Sequence, residues 1–150
     1  MDLPQFLVEH GADVTAQGKD RCTPLDLALR WFSPDWDDVP LDLARFLVEH
    51  GADATVRDKD GSTPLHYALV CPGEDVDQLL VENGADVTVQ DENGARPLYW
   101  ALEKNHLCLD LARFLIGHGA DAAAQDKNGF TPLHHASHGI MDMRILHGSS

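Results

Sequence analysis

Basic residues are scarce in this 150-residue chain: 11 Lys and Arg stand against 25 Asp and Glu, a formal net charge of −14. Such a surface repels phosphate, so sequence-independent binding to nucleic acid is not expected and an anionic membrane face is disfavoured. Cysteine is equally sparse. Cys22, Cys71 and Cys108 are odd in number, far apart and in no Cys-x-x-Cys pair, which excludes a disulfide framework and fits a reducing compartment. No apolar run approaches the roughly 20 residues of a membrane span. The opening MDLPQFLVEHGAD has no basic n-region, so a signal peptide is not expected either. A cytoplasmic or otherwise intracellular protein is the expectation. Nucleophile elbow, phosphate loop and His-Glu-x-x-His are all missing, so neither an enzyme nor a cofactor is expected.

What the chain has is a repeat. DKDGSTPLHYA at 58–68 returns as DKNGFTPLHHA at 126–136, and in weaker form as DENGARPLYWA at 91–101 and QGKDRCTPLDLA at 17–28. Thr23, Thr63, Arg96 and Thr131 stand 40, 33 and 35 residues apart. A second string, EHGAD at 9–13 and 49–53, ENGAD at 82–86 and GHGAD at 117–121, keeps that rhythm, with Gly11, Gly51, Gly84 and Gly119 also 40, 33 and 35 apart. Two markers drifting together define one structural unit with insertions between fixed parts.

The unit has a mechanical reading. Gly61 permits a tight turn; Thr63 is a good N-cap and Pro64 sits at N1, where a missing N–H is harmless. His66, at N3, can hydrogen-bond back toward the cap. A short helix over about 64–71 and a second over about 75–83 follow, the second carrying Val76, Leu79, Leu80 and Val81 as an apolar stripe. Asn83 and Gly84 end it, and ADVTVQ is expected to run extended to the next turn. No single unit holds enough core to fold alone, so units must stack.

These motifs resemble those of the ankyrin-repeat family over nearly the whole chain. The resemblance implies an all-α solenoid of stacked helix–loop–helix units with hairpin-like turns. The expected organisation is a single repeat domain over 1–150, with a partial unit at 1–16 and units at about 17–56, 57–89, 90–124 and 125–150, either a fragment of a longer array or a minimal one. The chain departs from the family pattern in places. Asp26 and Tyr99 replace the helix-start His, Arg96 replaces the capping Thr, and Thr15, Thr55, Thr88 and Ala123 stand where many members carry a hydroxylatable Asn.

One unit is stretched. Thr23 to Gly51 spans 28 residues where Thr63 to Gly84 spans 21. The seven additional residues fall in RWFSPDWDDVP, 30–40, which holds Trp31, Phe32 and Trp36 among Asp35, Asp37 and Asp38. Trp31 and Phe32 packed inward with Trp36 folded over the loop is one reading; an acidic–aromatic finger that touches a partner is the other. Nine histidines raise a metal reading, with His134, His135, His138 and Asp142 as its best cluster, but His134 is taken by the repeat motif and three or four converging ligands are needed. No metal site is expected. His10, His50 and His118 fall at helix ends, where a partly positive ring suits the dipole.

The resemblance implies recognition of a protein partner through the concave face and turn tips. Carried over by position, the candidate contacts are Lys19, Asp20 and Cys22; Lys59, Asp60 and Ser62; Glu92, Asn93 and Ala95; and Lys127, Asn128 and Phe130. On the first helices they are Arg30, Trp31, Tyr67, Val70, Cys71, Trp100, Glu103 and Lys104, with Trp36 added from the insertion. The charge favours a partner with a basic or mixed surface, and a monomer is expected. The alternative is a structural spacer or regulatory segment of a larger ankyrin-repeat protein, with no dedicated partner.

Overall fold

A computed structural model describes residues 2–30, 39–69, 74–104 and 109–138. Among them are eight helices and no strand: α1 Leu3–Glu9, α2 Pro24–Arg30, α3 Val39–Glu49, α4 Pro64–Ala68, α5 Glu74–Glu82, α6 Pro97–Lys104, α7 Leu109–Gly117 and α8, 132–138. The chain divides into two compact units, 1–86 and 87–150.

In the first unit, helix pairs stack like on like. α2 packs on α3 and α4, and α5 on α3 and α4. Leu25, Leu29, Leu47, Leu65, Leu69, Val76 and Leu80 are buried between them, with Ala44 and Ala68 letting the backbones approach. α1 has no buried residue and exposes Leu3, Phe6 and Leu7. In the second unit α6 packs on α7, burying Leu98, Tyr99, Ala101, Leu111 and Leu115. Tyr99 reaches further: its hydroxyl donates to the Ala124 carbonyl, and its ring stacks on His135 of α8 at 4.8 Å.

Helix starts follow the Thr-Pro signal. Thr63 has the extended backbone of an N-cap (φ −109°, ψ 166°), and its N–H donates to His66 Nδ1 at 3.1 Å, which places the ring proton on Nε2. Asp26 does the same work in α2. Its Oδ2 accepts from Thr23 N at 2.8 Å and Thr23 Oγ1 at 2.9 Å, while Asp26 N donates to Thr23 Oγ1 at 3.2 Å. The residue that departs from the motif therefore completes a capping box. α5 spans Glu74–Glu82, one residue earlier at each end than the stripe suggested.

Helix ends share one device. His10, His50 and His118 each hydrogen-bond through Nδ1 to the carbonyl four residues back, at 2.8 Å, and pack on the Phe that owns it. Asn83 Nδ2 donates to Leu79 O at the same 2.8 Å, so an amide substitutes for the ring. Ala52 N donates to Leu47 O and Gly51 N to Val48 O, the paired bonds of a glycine-terminated helix. The stretch after each such glycine corrects one expectation. The segment 85–90 is interrupted by a turn at 87–88, and at the equivalent places the Thr15, Thr55 and Ala123 amides donate to Asp13, Asp53 and Asp121 Oδ1 at 2.8 Å. Aspartate side chains that mimic a backbone turn compete here with an extended run. The Thr15 and Thr55 hydroxyls, then their amides, hold the Asp13 and Asp53 carboxyls below the usual range.

Candidate functional site

Three of the four turn tips are built alike around one aspartate. Asp58 Oδ1 accepts from the amides of Asp60 (2.9 Å) and Ser62 (3.0 Å). Asp91 Oδ1 accepts from Asn93 and Ala95 at 2.9 Å, and Asp126 Oδ1 from Asn128 (2.8 Å) and Phe130 (2.9 Å). Each hairpin is closed by a backbone bond at 2.9 Å, Asp58 N to Ser62 O, Asp91 N to Ala95 O and Asp126 N to Phe130 O. Gly61, Gly94 and Gly129 take the left-handed backbone at the bend, with φ of 74°, 77° and 80°.

The other carboxylate oxygen ties the tip to the helix behind it. Asp58 Oδ2 accepts from the Tyr67 hydroxyl, Asp91 Oδ2 from Trp100 Nε1 at 3.1 Å, and Asp126 Oδ2 pairs with His135 Nε2 at 3.2 Å. The donor always stands nine residues after the acceptor. Burial first, then Asp58, pushes the Tyr67 hydroxyl well above its ordinary range. Burial opposes the charge of Asp126, but the amides of Phe130 and Asn128 and the His135 ring hold its carboxyl below the usual value. Sequence reasoning missed this clamp, although an aspartate followed at nine residues by Tyr, Trp or His was its visible signal.

The first tip lacks the clamp. Gly18 stands where the others have aspartate, and Leu27 where they have the donor. Gly18 N still donates to Cys22 O at 3.0 Å, but the bend residue is Arg21, at φ 61°, a conformation that glycine adopts freely and a residue with a Cβ takes up only at a cost. Neighbouring tips also touch. Lys59 N donates to Asp20 O at 3.0 Å and Lys59 Nζ pairs with Asp20 Oδ1 at 3.4 Å. In the second unit Lys127 Nζ donates to the Glu92 carbonyl, and a Cβ on Gly94 would lie 2.9 Å from the Lys127 backbone nitrogen.

The proposed contact residues divide accordingly. Lys19, Asp20, Lys59, Glu92, Asn93, Lys127 and Asn128 are exposed on the tips, as is Phe130 at 48% and Arg30 at the end of α2. Asp60, Ala95 and Trp100 are half-buried. Ser62, at 3% exposed, and Tyr67, at 9%, are interior, as is Cys22. For Ser62 and Tyr67 that corrects a surface placement: the tip folds back on the helix, so these positions face Asp58 rather than solvent. Burial pushes the Cys22 thiol up, away from reactivity. Trp31, Trp36, Val70 and Cys71 lie outside the described residues, as do Asp142 and the side chains of Glu103 and Lys104.

Among the described residues no three of His, Cys, Asp and Glu converge as metal ligands, and His134 Nδ1 accepts from Thr131 N at 3.0 Å. No helix among them is long and apolar enough to cross a membrane. The arrangement offers exposed side chains on a hydrogen-bonded tip backbone. No curated protein matches the chain. The family model described as ankyrin repeats (3 copies) matches it over residues 2–91 and 72–146.

Proposed function

The chain belongs to the ankyrin-repeat family, and on that premise we propose that it is a protein-recognition module whose contacts are made by the turn tips and the exposed ends of the first helices. Ankyrin repeats generally serve protein–protein interaction. The observation that carries the reading is the double use of Asp58, Asp91 and Asp126, which fixes three of the four tips to their helices and leaves Lys59, Glu92, Asn93, Lys127, Asn128 and Phe130 exposed on them. Contacts presented on a braced backbone lose less conformational freedom on binding.

The wider reading has further parts. The units fall at about 17–56, 57–89, 90–124 and 125–150, after a partial unit at 1–16. The protein works as a monomer in a cytoplasmic or otherwise intracellular setting, and the buried free thiol of Cys22 supports a reducing one. Its partner has a basic or mixed surface, supported by exposed acids such as Glu9, Asp13, Glu49, Asp53, Glu82 and Asp121 on the second-helix side. Trp31 and Trp36 join the contact set through the insertion. The test is affinity capture from an extract of the source cells with the intact chain and with Lys59→Ala/Asn93→Ala/Lys127→Ala/Phe130→Ala. Loss of a captured protein in the variant, with unchanged unfolding, supports recognition by the tips; identical capture marks a spacer.

A further inference from the structure

The charge of the whole chain and the charge of its first recognition tips have opposite signs. Residues 1–86 contain six basic residues, and five of them, Lys19, Arg21, Arg30, Arg57 and Lys59, stand at the first two tips or at the end of α2; Arg45 alone lies on a second helix. Of the four acids at these tips and on α2, two are withdrawn. Asp26 and Asp58 are buried, and Asp58 is engaged by its tip and Tyr67. Asp20 is exposed and Asp60 half-buried. Arg57 Nε lies on the second tip, donating to Gly61 O at 3.2 Å, and Arg30 is held by Cys22 Sγ at 3.5 Å and over the Tyr67 ring at 5.4 Å. Asp35, Asp37 and Asp38 lie outside the described residues, so this is the charge of the described surface.

An apolar hollow opens within the same cationic region. It has a volume of about 830 Å³; Lys19 and Arg30 flank Pro24, Leu27 and Cys22 along its wall, and the one acid there, Asp20, is paired with Lys59 at 3.4 Å. The clamp is missing beside it: Gly18 and Leu27 stand where the other tips have the aspartate and its donor, and Leu27 is 45% exposed. We propose that this hollow takes a carboxylate-rich peptide segment of a protein partner, with an aliphatic or aromatic side chain against Pro24 and Leu27 and its acids on Lys19 and Arg30. The proposal rests on the reading of the chain as a protein-recognition module and names the partner's chemistry at one site. A peptide is favoured over a nucleic acid because the hollow is short and apolar, and a long polyanion would run past it onto the acidic remainder of the chain. At physiological ionic strength charges separated by more than about 8 Å are screened, so a short segment meets the local cations rather than the net −14.

The experiment uses the intact chain and a twelve-residue peptide of Glu and Asp around a central Leu-Phe pair. Three comparison ligands accompany it: the Gln/Asn counterpart, the Lys counterpart and a twelve-nucleotide oligothymidine. Fluorescence anisotropy gives affinity and amide chemical shifts locate the site. Expected are binding of the acidic peptide with shifts at Lys19, Leu27 and Arg30, and a weakening of at least about tenfold in Lys19→Glu/Lys59→Glu. Leu27→Ser should weaken it as well, whereas Arg113→Glu, on α7, should leave it unchanged. Thermal unfolding confirms that each variant folds. Preference for the Lys peptide, equal affinity for oligothymidine, shifts confined to other tips, or equal loss in Arg113→Glu would each overturn the proposal. If the acidic peptide fails while tip-dependent capture persists, recognition stands and only this site is lost.

Discussion

The Tyr67 hydroxyl donates to Asp58 Oδ2 while Asp58 Oδ1 accepts from the Asp60 and Ser62 amides. One carboxylate thus joins a turn tip to the first helix of the same repeat. Trp100 with Asp91, and His135 with Asp126, repeat the connection using different donors. What recurs is the position of a donor rather than its identity.

Tyr67→Phe keeps the ring and removes the donor, leaving a buried carboxylate short of one partner. The expected loss is about 1.5–3 kcal/mol of unfolding free energy, the range for hydrogen bonds to charged groups, read by urea denaturation. A loss under about 0.5 kcal/mol would show that the backbone bonds alone hold the tip.

The chain has two tyrosines, Tyr67 and Tyr99, and burial is the main cause that raises both hydroxyls above the ordinary value. A folded-state pKa above the unfolded one means that the unfolded chain gives up its phenolic protons first. Stability from these groups is therefore intact below about pH 10 and falls above it. Absorbance of tyrosinate should rise together with the loss of helical circular dichroism. Ionisation near pH 10 with the helices intact would contradict the burial of both rings.

Burial also pushes the Asp26 carboxyl up, against the hydrogen bonds from Thr23, and among the described residues its Oδ1 has no hydrogen-bond partner. The charged form is thus disfavoured by folding. Its penalty is present above the folded pKa and fades as pH falls through that value toward the ordinary one of about 3.9. Asp26→Asn, which keeps an acceptor for the Thr23 amide, should raise the denaturation midpoint at pH 7, with the advantage shrinking toward pH 4. A pH-independent loss would mean that the charge itself supports the cap.

The helix starts and stops were legible because they depend on local chemistry. Thr63-Pro64 and Asn83-Gly84 each carry the signal within two residues, and the stacking of such short helices follows from their inability to bury a face alone. Tip geometry was not legible to the same depth. Spacing placed Ser62 beside Lys59 and Asp60, but which side of a five-residue bend faces inward depends on a bond to Tyr67 formed by the fold. Asp26 read as a departure from a histidine motif, because sequence pattern records the residue type while the cap requires only an acceptor at that reach.

Two glycines separate backbone strain from contact. Gly51 has φ 94° and open space around an added Cβ; Gly94 has φ 77° and two Lys127 atoms at 2.9 Å. Gly51→Ala should cost about 1–2 kcal/mol from the left-handed backbone alone. Gly94→Ala should cost more and shift the amide resonance of Lys127. Equal costs would show that the 92–95 and 127–129 segments can part freely.

His50→Asn tests whether the helix-end ring is replaceable, as Asn83 suggests. The amide should hold stability within about 0.5 kcal/mol, whereas His50→Ala should lose about 0.5–1.5 kcal/mol, the net value of one hydrogen bond. Thermal unfolding at a single pH compares them. Equal losses in both would assign the effect to ring packing on Phe46.

A sequence shaped for folding alone would have glycine at position 21, as the other three tips do. Arg21 holds a left-handed backbone instead, a conformation that burdens a non-glycine residue by about 1–2 kcal/mol. The first tip thereby trades rigidity of fold for a permanent cation at its apex. Arg21→Gly would reverse that trade: a more stable protein with a less positive leading edge, in which stability and recognition move in opposite directions.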